Sequence, residues 1–186
     1  MKTGPHQNGA QAAVAKLGKQ DGFMNDARIK IPLPPSMKRA EAVMHSIGAG
    51  KQADDLVLRM NRAAEAAAPQ AKSLLVDAAK KMSVQDAKGI LTGGPGQRHR
   101  STSSAPPPSR SLRRFKPIVK KSMAKVKLAE AYDEIAASGA KFGLVKEEDA
   151  NLEDYVTRRA LDGLFVGIAD EERKSARTPR LRRRRS

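Results

Sequence analysis

Between Ala71 and Met82 the apolar residues fall at positions 71, 74, 75, 78, 79 and 82. That is the spacing of one face of an α-helix, and it does not fit the alternation of a strand. The same period governs most of the chain. After Ser36, which reads as an N-cap, Met37, Ala40, Val43, Met44 and Ile47 follow it until Gly48 stops the helix. A second helix is predicted from about Lys51 to Ala68, with Leu56, Met60, Ala63, Ala64 and Ala67 as its stripe and Asp54 and Asp55 at its positive end. Pro69 is placed to open the helix that carries Ala71 to Met82. Ser83 and Asp86 resemble a capping box for a short helix to Leu91, ended by Thr92-Gly93-Gly94.

Pattern resumes at Phe115. Pro117 is predicted to open a helix with Ile118, Val119, Met123 and Val126, followed by one from Leu128 to Ala137 with Tyr132 and Ile135 inward. After a turn at Gly139 to Gly143, Asn151 caps a long helix to about Glu172. Its stripe is Leu152, Tyr155, Val156, Ala160, Leu164, Phe165 and Ile168. Residues 10–17 can form one short helix, and Ile29 to Pro35 reads as extended because its prolines bias their predecessors away from helix. No stretch alternates convincingly enough for a strand. The expected fold is all-α: one domain of about seven helices over residues 10–172, after a disordered N-terminus at 1–9.

Two segments break the pattern. Residues 95–114, built from Pro, Ser and Arg with Leu112 as the one large apolar residue, read as a disordered insert. Residues 173–186 read as a disordered basic tail. The net charge of +16 is concentrated there. Residues 1–94 and 117–172 together carry +2, and residues 95–116 and 173–186 supply the remaining +14. The body is thus nearly neutral, and the charge belongs mainly to its inserts.

The chain has no Cys, which excludes thiol catalysis, disulfides and thiolate metal sites. Six aromatic residues leave the core to Leu, Ile, Val, Met and Ala, a composition suited to close helix packing. No apolar run approaches the ~20 residues needed to span a bilayer. His6, His45 and His99 stand in unrelated contexts, so no zinc site is expected. Asp149, Asn151 and Glu153 alternate as calcium ligands do, but Asp154 stands where the loop glycine belongs; acids gathered at a helix N-terminus explain them better. No cofactor motif and no catalytic constellation is present.

Two candidate sites remain. Asn61, Arg62 and Glu65 form a polar group among the alanines of the second helix. They read either as contacts for a small anionic ligand, or as an i,i+3 ion pair at the surface beside a buried Asn that bonds a neighbouring backbone. Arg180, Arg182, Arg183, Arg184 and Arg185 would hold any polyanion, nucleic acid included, without sequence preference. No aromatic residue stands among them to stack bases.

Several strings, QDGFMNDARIKIPLP (20–34), ADDLVLRMNRAAEAA (53–67), AAKKMSVQDAKGILTGG (78–94), FKPIVKKS (115–122), KFGLVKEEDANLEDYVT (141–157) and ALDGLF (160–165), closely resemble the bacterial family catalogued as domain of unknown function 4197. The resemblance covers about 10–94 and 115–172. It implies an all-helical envelope protein, normally made with an N-terminal signal peptide, and it implies no activity and no catalytic residue. The chain departs from the family pattern at 1–8, at 95–114 and from about 174, where abrupt Arg-, Pro-, Ser- and Ala-rich sequence reads as out-of-frame translation of a GC-rich gene.

The expected function is therefore a non-enzymatic structural or interaction protein of the bacterial envelope, its partner another envelope protein. Non-specific polyanion binding through the Arg-rich segments is one alternative. A small-ligand site around Asn61 and Arg62 is the other. The expected location is the periplasm or envelope by resemblance, and the cytoplasm if the chain is complete as it stands, since residues 1–6 lack the apolar core of a signal peptide.

Overall fold

A computed structural model describes residues 5–81, 109–140 and 152–177. Seven α-helices lie among the described residues: α1 (Pro5–Leu17), α2 (Lys38–Ser46), α3 (Gly50–Gln70), α4 (Lys72–Lys81), α5 (Ser109–Lys125), α6 (Leu128–Ala140) and α7 (Leu152–Arg177). One 3-10 turn, Pro35–Met37, precedes α2. No strand occurs among the described residues.

α3 is the centre of the arrangement. It packs against α1, α2, α4, α5, α6 and α7. Its sequence explains how one helix serves so many neighbours. Ala53, Ala63, Ala64, Ala67 and Ala68 are all buried, and such short side chains let other helices approach closely. Leu56 and Met60 fill the space between them. α1 and α7 form the other tight pair. There Ala10, Ala13 and Leu17 of α1 face α7, where Gly167 leaves room for the Leu17 side chain.

Between α1 and α2 runs an irregular segment, residues 18–34. It is not a surface loop. Phe23, Ile29, Ile31 and Leu33 are all buried in the common core. Burying an aromatic or large aliphatic side chain is worth about 1.5–3 kcal/mol, which holds the segment inward despite its lack of regular structure. Gly163 of α7 makes the close approach possible. A Cβ there would stand 2.6 Å from the Phe23 ring and 3.2 Å from Cβ of Ile29. Asp21 adopts φ +66°, in the left-handed region, at the turn where the chain leaves α1.

Several local expectations are corrected. Ser36 does not cap α2. The preceding prolines start a 3-10 turn instead, and Met37 takes the N-cap position without a side-chain hydrogen bond. Ile47 points outward at 52 % exposure, because α2 ends at Ser46 and Gly48 reverses the chain at φ +78°. Pro69 and Pro117 open no helix. Pro69 lies in the last turn of α3 and Pro117 inside α5, each exposed, so that the carbonyl four residues earlier loses its usual N–H donor. α1 begins at Pro5 rather than at residue 10, and α5 begins at Ser109, inside the segment expected to be disordered. Gly139 is helical, within α6, and α7 continues past Glu172 to Arg177. The predicted helix from Ser83 to Leu91, the cap at Asn151, and most of the 95–114 insert and the 173–186 tail lie outside the described residues.

Candidate functional site

Asn61 and Glu65 are four residues apart on α3 and therefore share the face turned to the irregular segment. Asn61 is completely buried. Its Oδ1 accepts the N–H of Ile31 at 2.9 Å, and its Nδ2 donates to the carbonyl of Ile31 at 3.0 Å and to that of Val57 at 2.7 Å. The amide thus replaces a neighbouring strand for Ile31, satisfying both backbone groups of an extended residue that has no ladder of its own. Both donors of the Asn61 amide are used on the chain itself.

Glu65 is 3 % exposed. Its Oε1 accepts the N–H groups of Phe23 at 3.0 Å and Met24 at 3.3 Å, and its Oε2 accepts Arg62 Nη1 at 2.7 Å. Arg62 in turn donates through Nη2 to Asp21 Oδ1 at 2.8 Å. A buried carboxylate is costly unless hydrogen bonds and an opposite charge surround it, and Glu65 has both. The Glu65 carboxylate, followed by Asp21, holds the Arg62 guanidinium above its ordinary value despite partial desolvation. Asn61, Arg62 and Glu65 are therefore brought together, with Asp21 as a fourth member that sequence spacing does not reveal. The i,i+3 pair expected at the surface is instead half sunk, with its acidic partner in the core.

Further contacts fasten the same segment to α7. Tyr155 donates its hydroxyl to the Pro32 carbonyl at 2.9 Å, and burial holds that hydroxyl above its usual range. Arg28 bridges Asp26, through Nη2 at 2.7 Å, and Asp170 of α7, through Nη1 at 2.8 Å. The hydrogen bond from Arg28 holds the Asp26 carboxyl below its ordinary value. Arg59, two residues before Asn61 and so on the other side of α3, holds another element. Its Nη1 donates to the carbonyls of Val126 and Lys127 at 3.2 and 3.1 Å, while Nε holds Asp55 at 2.7 Å. Val126 and Lys127 join α5 to α6; Lys127 takes φ +53° there, and its carbonyl also accepts the Ala131 N–H at 3.4 Å. The carbonyls that Arg59 reaches lie 67 and 68 residues away in the chain.

Glu153 and Asp154, read as part of a group of acids gathered at a helix N-terminus, have cationic company. Lys116 of α5 stands 2.7 Å from Asp154 and 3.6 Å from Glu153, and Lys120 stands 3.8 Å from Glu153. Asp149 and Asn151, which share that sequence pattern, lie outside the described residues. So do Arg180, Arg182, Arg183, Arg184 and Arg185. Among the described residues no cluster of His, Asp or Glu is placed to hold a metal ion, and no helix is long and apolar enough to cross a membrane.

A charged feature that the sequence reading missed lies on α5. The helix carries Arg110, Arg113, Arg114, Lys116, Lys120, Lys121 and Lys125 and no acidic residue. Its apolar face, with Phe115 and Val119, is buried. Arg113, Arg114, Lys121 and Lys125 are exposed and, among the described residues, make no ion pair. Dividing the charge at residue 116 cut through the middle of this helix and hid its one-sided character.

The family described as protein of unknown function (DUF4197) matches the chain over residues 6–185. This span is wider than the two blocks, about 10–94 and 115–172, that carry the resemblance, and it includes the 95–114 segment and most of the basic tail. No curated protein and no solved structure matches the chain.

Proposed function

The chain belongs to the DUF4197 family of proteins of unknown function, and on that premise we propose that it is a non-enzymatic structural or interaction protein of the bacterial envelope. The observation that carries the proposal is the direction of its polar chemistry. A catalytic or ligand site keeps donors and acceptors pointed at the place where a substrate will sit. Asn61, Arg62 and Glu65 are turned the other way. Their groups hold Phe23, Met24 and Ile31, and opening them to a ligand would strip a buried carboxylate of its partners. The group acts as a clamp on the chain's own backbone, and the work is left to the outer surface. The envelope location follows what the family resemblance implies.

Osmotic-shock fractionation of the native host tests this reading. The intact gene product is expected in the periplasmic fraction. Recovery from the cytosol in complex with nucleic acid would contradict the proposal. That outcome would favour the second reading, non-specific polyanion binding through Arg180 and Arg182 to Arg185, which the +8 charge of residues 173–186 supports.

A further inference from the structure

We propose that the exposed face of α5 docks the protein onto an anionic phospholipid surface. The inference goes beyond the reading above and stands without it, because it rests on the charges of one helix.

Arg114, Lys121 and Lys125 follow one another at i, i+7 and i+11, which places them in a single row on the outside of α5. Arg113 stands beside Arg114, and Lys120 beside Lys121, forming a second row. Among the described residues, Lys120 alone of these five shares its charge, with Glu153 at 3.8 Å. At a rise of 1.5 Å per residue, the rows extend about 18 Å along the helix. The charge is therefore a face and not a single line, without an acidic residue in the helix to offset it.

The chemistry of this face selects its partner. A layer of phosphate headgroups asks only for cations presented side by side, on long stems that reach outward. Reading or stacking the bases of a nucleic acid asks for more than the phosphate contacts that any row of cations can make. Base stacking needs aromatic side chains between the cations, and none is exposed on α5; entry into a major groove needs a helix free on most of its circumference, whereas α5 is packed along Phe115, Val119 and Ser122. The buried apolar face also means that the helix lies on the headgroups without inserting. Binding is then purely electrostatic and falls with salt.

The test is co-sedimentation of the full chain with vesicles made of equal parts phosphatidylglycerol and phosphatidylcholine, against pure phosphatidylcholine vesicles. Binding is expected only to the anionic vesicles and is expected to fade as salt rises. Each cation near such a surface strengthens binding about five-fold, so the combined Arg114→Gln, Lys121→Gln and Lys125→Gln variant should bind on the order of 100-fold more weakly. The Lys121→Arg and Lys125→Arg variant, which keeps both charges, should bind the anionic vesicles as the parent does. Far-UV circular dichroism of each variant should match the parent, since all three side chains are exposed. Should a variant melt early, the single Arg114→Gln and Lys121→Gln substitutions give the same reading at about five-fold each. Unchanged vesicle binding in the folded variants, with loss on replacing Arg182 to Arg185 by glutamine, would overturn the proposal. Tighter binding to a random-sequence DNA duplex than to the vesicles, lost in the α5 variant, would overturn it as well.

Discussion

The side-chain amide of Asn61 holds both backbone polar groups of Ile31, accepting its N–H at 2.9 Å and donating to its carbonyl at 3.0 Å. An extended segment buried between helices has no neighbouring strand, so its amides must find partners elsewhere or forfeit their hydration. One residue of α3 answers this for Ile31, and Glu65 answers it for Phe23 and Met24. The folding of residues 18–34 thus depends on polar side chains of α3 that lie 30 to 42 residues later in the chain than the groups they hold.

Asn61→Leu conserves volume but leaves the N–H and C=O of Ile31 without partners in the core. Each unsatisfied buried group costs about 1–3 kcal/mol, so a loss of roughly 2–5 kcal/mol is expected. Equilibrium urea unfolding measures it. A loss below 1 kcal/mol would mean that the Ile31 backbone is not held as described.

Arg62→Leu and Glu65→Gln should not be equivalent. The first leaves a buried carboxylate without its cation, at a cost of about 3–5 kcal/mol; the second keeps an acceptor for Phe23 and Met24 and removes the charge that needed Arg62. The double variant is therefore expected to be more stable than Arg62→Leu alone. A double-mutant cycle in urea reads the coupling directly, and simple additivity would refute it.

Gly163→Ala introduces a Cβ 2.6 Å from the Phe23 ring. The ring is fully buried, and overpacking of this kind costs about 1–3 kcal/mol. Gly48→Ala meets no neighbouring atom, and its penalty, of order 1 kcal/mol, is the left-handed backbone alone. Thermal melts of the two variants should separate a packing defect in the core from a local strain at the surface.

Asp26 gives a pH dependence of known sign. Its folded value lies below 3.8 because Arg28 donates to it, so its contribution is fully present above pH 3.8 and is lost as pH falls through the lower, folded value. Arg28 is well exposed, which limits the pair to about 0–1 kcal/mol. The difference in stability between the parent and Asp26→Asn should accordingly shrink as pH is lowered from 5 towards 2. A difference that grows on acidification would contradict the assignment.

Helix positions were legible because the stripes Leu56–Met60–Ala63–Ala64–Ala67 and Val156–Ala160–Leu164–Ile168 repeat at helical spacing and are buried as that spacing requires. Proline misled the reading twice. A proline is read as a first-turn residue, yet Pro69 and Pro117 lie exposed on helices that continue past them. In the candidate site, the proximity of Asn61, Arg62 and Glu65 was legible, since it is local. Their partners were not. Phe23, Met24, Ile31 and Asp21 are distant in sequence, and a helix pattern says which face is buried without saying what lies against it. Tyr155 looked like core for the same reason, and its bond to Pro32 depends on the path of the irregular segment.

α3 clamps residues 21–33 through Asn61 and Glu65. Native-state amide hydrogen exchange at Phe23, Met24 and Ile31 tests it most directly. These amides should exchange only through near-global unfolding in the parent chain, and Ile31 should be released to local opening by Asn61→Leu, as Phe23 and Met24 should be by Glu65→Ala. Rapid exchange at the three amides in the parent, indifferent to both substitutions, would show that the two side chains are not engaged with the backbone and would return them to the role of a ligand site.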